Sequence, residues 1–203
     1  MNIALIDYGI GNLRSVKKAF EAVGTNIVQT SESNLILNAD KVVLPGVGAF
    51  KDGVKGLQNR NLIPTLRELK RRKTPLLGIC LGMQLLFDTS SEMGNNKGLG
   101  FIEGEVRKFS NSALKIPQTG WNQIEIINKS PLLKDVKDQS YVYFNHSYYC
   151  DPSKSVDMIA QTDYGLAYAS AVQKGSIYGV QFHPEKSQDI GLIILKNFVE
   201  HCQ

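Results

Sequence analysis

Short apolar segments that alternate with helix-length amphipathic segments constrain the fold of this chain more than any other feature. The strand-like segments of the N-terminal half are Ile3–Asp7, Asn26–Gln29, Val42–Leu44 and Leu76–Cys80. The helix-like segments are Leu13–Val23, Leu62–Arg72 and Met83–Asp88. Continuous apolar runs bounded by glycine and proline are typical of strands buried on both faces, as in a parallel sheet. The alternation therefore predicts a doubly wound α/β fold, with a mostly parallel or mixed central sheet flanked by helices.

The C-terminal half has more strand-like segments, joined by short turns. These are Val106–Phe109, Gln123–Ile127, Ser140–Phe144, Asp157–Thr162, Leu166–Gln173 and Ser176–Phe182. The dipeptide Lys174–Gly175 predicts a hairpin between the last two, and a final helix is expected at Asp189–His201. Because no low-complexity linker or composition boundary interrupts the pattern, residues 1–203 are expected to form a single domain.

Composition and charge exclude several classes of protein. The 203 residues are 42% hydrophobic and 21% charged, as in an ordinary globular domain. The net charge of +4 is scattered, which does not indicate a nucleic-acid partner. No apolar run approaches the roughly 18 residues of a membrane span, and the N-terminus does not resemble a signal peptide. The three cysteines form no CxxC pair, so we predict no metal site and a reducing, cytoplasmic location.

The most informative motif lies at the end of a predicted strand, where Gly78, Cys80 and Gly82 precede a helical segment. This is the nucleophile-elbow pattern with cysteine in place of serine, and its sharp turn needs small residues on both sides of the nucleophile. The elbow would place the sulfur at a helix N-terminus, which stabilises the reactive thiolate. It would also leave the N–H of Leu81 free to face a developing oxyanion. The alternative is a cysteine that only packs in the core between two glycines.

A second glycine-containing turn follows the predicted strand Val42–Leu44. Loops after parallel strands lie at the carboxyl edge of the sheet, where ligands bind in open α/β folds. Gly46 and Gly48 would let the backbone approach a substrate closely, as in loops that supply a second oxyanion donor. The alternative is that these glycines only make the turn. Neither this loop nor Gly9–Gly11 has the glycine pattern of a phosphate or dinucleotide site, so no cofactor is predicted.

Three histidines are candidates for the general base that the cysteine needs. His201 lies at the end of the last predicted helix, where a solvated position is expected. His146 lies in Tyr143–Tyr149, a segment rich in groups that could surround a small substrate. His183 directly follows an apolar strand, at the edge of the sheet where the cysteine is expected.

The segment around His183 favours this histidine as the base. Pro184 biases His183 toward an extended backbone, in which residues i and i+2 point to the same side. The carboxylate of Glu185 could then orient the imidazole and stabilise its protonated form. A lone His-Pro-Glu could alternatively be a surface turn. Together with Cys80, however, it predicts a nucleophile, a base and an orienting group.

The combination of Gly78–Gln84 (GICLGMQ) with His183–Glu185 (HPE) resembles the class I (triad) glutamine amidotransferase family. Further segments narrow the resemblance to the glutaminase subunits of imidazole glycerol phosphate synthases: Asp7–Asn12 (DYGIGN), Pro45–Phe50 (PGVGAF), Pro117–Asn122 (PQTGWN) and His183–Ser187 (HPEKS). One position departs from the pattern, because many members carry histidine where Gln118 stands. This departure leaves the triad intact and puts the partner-facing surface in doubt.

The resemblance implies a chemistry and a set of roles. Cys80 would attack the side-chain carboxamide of L-glutamine, His183 would transfer the protons, and Glu185 would orient His183. The glutamyl thioester on Cys80 would then be hydrolysed to glutamate, with release of ammonia. The N–H of Leu81 would serve the oxyanion hole. The segment Gly46, Val47 and Gly48 would supply the other donor, after a peptide reorients on partner binding.

The resemblance also implies contacts with the substrate and with a partner. Gln84, Ser147 and Tyr148 would hold the glutamine. The partner would be a (β/α)8-barrel cyclase subunit in a heterodimer, through which ammonia is channelled during histidine biosynthesis. Residues matching the family's partner contacts are Asn12, Trp121 and Lys186. The alternatives are core packing for Trp121 and an ordinary solvated charge for Lys186.

Two other functions remain open at this point. A paralogue with the same chemistry could feed ammonia to a sugar-amidating enzyme of surface-polysaccharide biosynthesis. A non-catalytic binding or regulatory module could retain the fold. The identity of the partner would distinguish the first from histidine biosynthesis, and reactivity of Cys80 toward a glutamine-like electrophile would exclude the second.

Overall fold

A mixed β-sheet with helices on both faces makes up this chain, in a computed structural model that describes residues 1–110 and 114–203. The helices are α1 (Leu13–Ala22), α2 (Ser33–Leu37), α3 (Phe50–Asn59), α4 (Leu62–Arg72), α5 (Leu81–Leu85) and α6 (Gln188–His201). The first strands are β1 (Ile3–Ile6), β2 (Ile27–Thr30), β3 (Lys41–Leu44), β4 (Leu76–Ile79), β5 (Phe87–Ser90), β6 (Asn96–Lys97) and β7 (Ile102–Lys108). The remaining strands are β8 (Gln118–Ile126), β9 (Ser140–His146), β10 (Tyr148–Pro152), β11 (Met158–Asp163), β12 (Ala167–Lys174) and β13 (Ile177–Val180).

The predicted α/β architecture is confirmed by the order of the strands, β2-β1-β3-β4-β13-β12-β10-β7-β5-β6. The strands from β2 to β13 run parallel to one another, and the strands beyond β13 are mostly antiparallel. All four residues of each of β1, β3, β4 and β13 are buried, as expected for strands covered on both faces. Strands β11, β8 and β9 continue from β12 as an antiparallel extension.

Two hydrophobic clusters, one on each side of the sheet, hold the helices in place. The first contains the apolar faces of α1 and α6, including Phe20 and Phe198. The second contains those of α2, α3, α4 and α5, including Leu57 and Leu66. Burial of a leucine or phenylalanine side chain contributes about 1.5–3 kcal/mol. Within the described ranges, no helix combines the length and apolar character needed to cross a membrane.

The predicted hairpin at Lys174–Gly175 is confirmed, since β12 and β13 pair antiparallel with Lys174 opposite Ile177. The predicted helix Met83–Asp88 is wrong in its second half. Helix α5 ends at Leu85, and Phe87 begins strand β5, which pairs with β6 and β7. This pairing is a long-range contact, and it overrides the helical periodicity of the segment.

Helix α3 was not predicted, because two glycines lower the helix propensity of its sequence. The structure explains both. A Cβ atom on Gly56 would lie 2.7 Å from the carbonyl oxygen of Tyr8, and one on Gly53 would lie 3.1 Å from the side chain of Leu85. The helix therefore has glycine where its backbone packs closely against β1 and α5. Helix α2 and strand β10 were also not predicted.

The turn between β4 and α5 is the most crowded part of the fold. A Cβ atom on Gly78 would lie 2.7 Å from the backbone of Gly82 and Met83. One on Gly82 would lie 1.8 Å from the carbonyl oxygen of Leu44, at the end of the neighbouring strand β3. The predicted need for small residues on both sides of Cys80 is therefore confirmed, and it arises from contact between two adjacent strand ends.

We expect Gly82→Ala to lower the free energy of unfolding by at least about 3 kcal/mol, because the new methyl group has to displace the backbone at Leu44. A matched control is Gly24→Ala, in which the new Cβ atom would meet no other atom within 4 Å. This variant is destabilised only by the strain of an alanine at a φ of +77°. That strain costs about 1 kcal/mol. Urea denaturation of both variants measures the difference, and equal losses would contradict the packing argument.

Candidate active site

Three neighbouring strand ends build one cleft. Strands β3, β4 and β13 lie side by side and parallel, so the segments that follow them meet at the same edge of the sheet. The cleft has a volume of about 320 Å³. Nine residues predicted from the sequence to belong to the site line this cleft: Val47, Gly48, Cys80, Leu81, Gln84, Ser147, Tyr148, His183 and Lys186. Glu92, Pro117, Asn145 and His146 also line it. The structure thus brings most of the predicted site residues together.

Cys80 occupies the elbow, directly between β4 and α5. Its backbone has φ 53° and ψ −110°, a conformation that costs a non-glycine residue about 1–3 kcal/mol. The N–H of Cys80 donates to Val180 O at 2.8 Å, which fixes the turn against β13. The side chain is only 5% exposed, as the core-packing alternative required, but it forms part of the cleft wall. A strained backbone at a cleft wall favours a functional role over simple packing.

The predicted oxyanion elements lie on either side of Cys80. Leu81 is the first residue of α5, so its N–H has no acceptor within the helix. Val47 and Gly48 line the cleft, and Gly48 has a φ of +93°. Gly46 is buried behind them, where a Cβ atom would lie 2.9 Å from Leu81 Cβ. The contact leaves no room for a side chain at this position.

His183 and Glu185 form a buried pair. The distance between His183 Nδ1 and Glu185 Oε1 is 2.8 Å, and the two side chains are 4% and 2% exposed. The predicted proximity is confirmed, but the extended geometry given as its reason is wrong for Glu185. Only His183 is extended, and Pro184–Lys186 form a 3₁₀ turn that brings the carboxylate to the ring. Because both side chains are buried, the surface-turn alternative is wrong.

The backbone around His183 is held from two directions. Its N–H donates to Tyr143 O at 2.9 Å. The hydroxyl of Ser187 donates to His183 O at 2.6 Å and accepts from the N–H of Tyr143 at 3.0 Å. These bonds attach the 3₁₀ turn to β9, so the imidazole has a fixed position relative to the cleft.

The electrostatics of the site favour a charged imidazole. Burial disfavours the charge on His183, but hydrogen bonds to Cys80 and Glu185, together with the negative charges of these two groups, raise its pKa above the ordinary value. Glu185 Oε2 is buried and has no hydrogen-bond partner among the described residues. The carboxylate therefore depends on His183 for compensation of its charge. This arrangement favours an imidazolium group beside the sulfur of Cys80.

His146 lines the same cleft but is poorly suited to act as a base. Its Nδ1 lies 2.8 Å from Tyr148 O, a pure acceptor, so this nitrogen carries the proton. Its Nε2 lies 3.3 Å from the hydroxyl of Tyr168. Burial, outweighing the bond to Tyr148 O, lowers the pKa of His146 to about 4. Its low pKa makes His146 a weak base, whereas His183 forms a hydrogen bond to Cys80, so the structure favours His183 as the base.

The family profile "Glutamine amidotransferase class-I" matches residues 4–202. The chain belongs to this family. Imidazole glycerol phosphate synthase subunit HisH of Moorella thermoacetica is 46% identical over 198 residues, covering 98% of this chain and 94% of the relative. The protein of the same name from Bacillus cereus is 47% identical over 196 residues, covering 97% and 93%. A structure of PurLQS from Thermotoga maritima has a TM-score of 0.76 at 17% identity, covering 100% of this chain and 99% of that one, a likeness of fold alone.

The cleft of this amidotransferase also contains a carboxylate, that of Glu92, which was not predicted. Gln84 Nε2 donates to Tyr148 O at 3.1 Å, so two of the predicted substrate residues are in direct contact. Glu92 lines the cleft, and its Oε2 accepts the N–H of Phe50 at 2.6 Å, at the start of α3. Burial and the charge of Glu92 raise the pKa of Tyr148. Glu92 follows β5 in a turn and has no sequence motif around it, so only the fold could bring it to the cleft.

The residues predicted to contact a partner lie at the surface of the amidotransferase. Trp121 is 47% exposed, so the core-packing alternative is wrong. Its ring lies edge-on to Tyr143 at 6.2 Å, and Lys186 Nζ lies 5.5 Å from the Tyr143 ring centre. Lys186 is exposed, as for a solvated charge, but it also lines the cleft. Asn12 is exposed, and its side chain accepts the N–H of Ser15 at the start of α1.

Gln118, the position that departs from the family pattern, lies inside the molecule. It is 3% exposed, and its Oε1 lies 2.9 Å from the hydroxyl of Tyr168. The departure therefore concerns the buried neighbours of His146 and leaves the exposed surface around Trp121 unchanged. Within the described ranges, no three His, Cys, Asp or Glu side chains gather in a way that could hold a metal ion.

The low pKa of His146 predicts a loss of stability in acid. An unfolded histidine titrates near about 6.5, so the unfolded chain takes up a proton before the folded chain does as the pH falls. The contribution of His146 to stability is therefore constant above this pH and falls from there down to about pH 4. Between about pH 7.5 and about pH 5, we expect wild type to lose about 2 kcal/mol more than His146→Gln in urea denaturation. Equal losses would contradict the neutral state of His146.

Proposed function

We propose that this amidotransferase is the glutaminase subunit of an imidazole glycerol phosphate synthase and hydrolyses L-glutamine to glutamate and ammonia. The observation that carries the proposal is the meeting of Cys80 on a strained elbow with the buried His183–Glu185 pair in one cleft. The name shared by the bacterial relatives supports histidine biosynthesis over the surface-polysaccharide alternative. We also propose that the whole chain acts as one amidotransferase domain.

The first half of the reaction forms a thioester. Cys80 Sγ attacks the side-chain carbonyl carbon of glutamine, and the carbonyl oxygen takes up negative charge. The N–H of Leu81 donates to this oxygen. His183 passes a proton to the departing nitrogen, which leaves as ammonia, and the acyl group remains bonded to sulfur. Glu185 keeps the imidazole in the required tautomer and stabilises its charged form.

The second half of the reaction restores the enzyme. His183, now neutral, accepts a proton from a water molecule, whose oxygen attacks the thioester carbon. The carbon–sulfur bond breaks, sulfur leaves as thiolate, and glutamate is released. The sum is glutamine plus water giving glutamate plus ammonia. His183 therefore acts first as an acid and then as a base, at the same atom.

The cleft also contains groups that suit the two ends of glutamine. The α-ammonium group needs an acceptor with negative charge, which Glu92 provides at the cleft wall. Gln84, Ser147 and Tyr148 provide further polar groups for the carboxamide and the α-carboxylate. The site thus contains donors, acceptors and one carboxylate for a small zwitterionic substrate.

We propose that the exposed surface formed by Trp121, Lys186 and Asn12 binds a (β/α)8-barrel cyclase subunit. Exposed aromatic side chains such as that of Trp121 are enriched at protein interfaces. Lys186 belongs both to this surface and to the cleft, so a bound partner would close the cleft mouth. Ammonia would then reach the cyclase before water protonates it. The three unpaired cysteines support a reducing compartment such as the cytoplasm.

We expect Cys80→Ala to abolish glutamine-dependent product formation by the complex with the cyclase, by about 1,000-fold or more, because no other group can form the thioester. Turnover supplied with ammonium salts should stay at the wild-type level. A matched control is Cys202→Ala, which removes a buried thiol at the C-terminus and should leave both rates unchanged. Glutamine-dependent turnover of Cys80→Ala close to the wild-type rate would rule out the mechanism.

The glutaminase rate should be low for the free subunit and should rise roughly a hundredfold on addition of the cyclase and its nucleotide. The physical reason is that the oxyanion loop at Gly46, Val47 and Gly48 contributes its donor only after a peptide reorients on partner binding. The loss of one such donor costs about 100-fold or more in rate. Glutamate release, measured with and without the partner, tests this expectation. Full activity of the free subunit would contradict it.

A further inference from the structure

A buried amide contacts the sulfur of Cys80 from the side opposite to solvent. Gln181 follows β13 directly and is completely buried. Its main-chain N–H donates to Ser170 O at 2.9 Å, which fixes the residue between two strands. Its side-chain Nε2 lies 3.7 Å from Cys80 Sγ, within the range of an N–H···S hydrogen bond. A fully buried glutamine needs such hydrogen-bond partners, because burying an unpaired amide costs free energy of folding.

The orientation of this amide is determined by a chain of hydrogen bonds that starts at the backbone. Tyr148 O can only accept, so the group of Gln84 that lies 3.1 Å from it has to be the NH2 group. The same NH2 group lies 3.1 Å from the other side chain, so that contact has to be Gln181 Oε1. The Nε2 of Gln181 is thereby turned toward Cys80. The thiol of Cys150, 4.0 Å from Gln181 Oε1, is a weak donor that agrees with this assignment.

We propose that Gln181 is a positioning residue that donates an N–H to Cys80 Sγ, directs the sulfur into the cleft and stabilises its thiolate form. The inference rests on the proposed role of Cys80 as nucleophile. A neutral amide remains a donor throughout the reaction, whereas His183 gives its proton to ammonia. Gln181 thus stabilises the sulfur again when it leaves the thioester. It also couples the nucleophile to Gln84, a proposed substrate contact, through a single side chain.

The other titratable groups that face Cys80 do not duplicate this role. They are His183 after β13, Tyr8 in the segment that follows β1, and Cys150 on β10. Burial, together with the charge of Cys80, raises the pKa of both Tyr8 and Cys150, so both stay neutral around neutral pH. Glu92 and Lys186 line the same cleft. Among these groups His183 provides the positive charge next to the sulfur, and Gln181 provides a neutral donor.

The test measures the sulfur itself and needs no glutamine. The full chain is alkylated with iodoacetamide from about pH 5 to about pH 10, and modification of the Cys80 peptide is followed by mass spectrometry. We expect Gln181→Met, which keeps the length but removes the donor, to shift the midpoint of the rate profile upward by about one pH unit. At pH values below both midpoints the rate should fall about tenfold. An unchanged midpoint in folded Gln181→Met would overturn the proposal.

A matched control and a second variant keep the result interpretable. Gln173→Met makes the same chemical change on β12, where the side chain bonds Gly175 O, and should leave the profile of Cys80 unchanged. If Gln181→Met does not fold, Gln181→Glu takes its place. It keeps the shape and the acceptor for Gln84, but it exchanges the donor for a carboxylate, and it should shift the midpoint further upward. An unchanged midpoint in Gln181→Glu would also overturn the proposal.

The alkylation experiment can fail or succeed independently of the test of glutaminase activity. If wild type hydrolyses glutamine and Gln181→Met keeps the wild-type alkylation midpoint, only the proposed role of Gln181 is overturned. If wild type fails to hydrolyse glutamine with its partner but the alkylation midpoint still shifts in Gln181→Met, the glutaminase function is overturned. The contact between Gln181 and Cys80 is then still supported.

Discussion

The parallel pairing of β3, β4 and β13 is the constraint on which the rest of the site depends. Their hydrogen-bonded registers place Leu44 opposite Gly78 and Ile79 opposite Val180. Three segments far apart in sequence therefore end at one edge of the sheet. Cys80, His183 and the proposed oxyanion loop at Gly46, Val47 and Gly48 follow these strand ends. The close contact between Gly82 and Leu44 is a consequence of the same pairing, since the elbow has to turn against the neighbouring strand.

The buried polar groups of the cleft depend on one another. Glu185 has its charge compensated by His183, and His183 remains charged only because Glu185 and Cys80 outweigh its burial. Removal of one member of such a set leaves the others unpaired in a low dielectric, which costs several kcal/mol. Gln181 extends the set with a neutral donor. Catalytic reactivity and local stability are therefore properties of the whole constellation, and single substitutions affect both.

The success of sequence-based prediction differed between local and long-range features. The elbow, the His183–Glu185 pair and the Lys174–Gly175 hairpin were predicted, because the sequence pattern of each spans only a few positions. Helix α3 was missed, because its glycines are explained only by the close approach of Tyr8 and Leu85. Glu92 was missed as well, because only the fold brings it to the cleft. The exposure of Trp121 was also left open by its sequence, since a lone tryptophan packs in a core or on a surface.

The sequence by itself determined the α/β class, and it predicted the elbow at Cys80 and the neighbouring His183–Glu185 pair that carry the proposed chemistry. The fold class follows from the periodicity of apolar residues. The motifs at Cys80 and His183 are recognised from residue types and spacings within a few positions of the sequence. Only the tertiary structure decided that His146 is neutral, that Gln181 contacts the nucleophile and that Glu92 reaches the cleft. The physical reason is that burial and hydrogen-bond partners are set by segments distant in sequence, and these determine which polar groups are charged and which way they point.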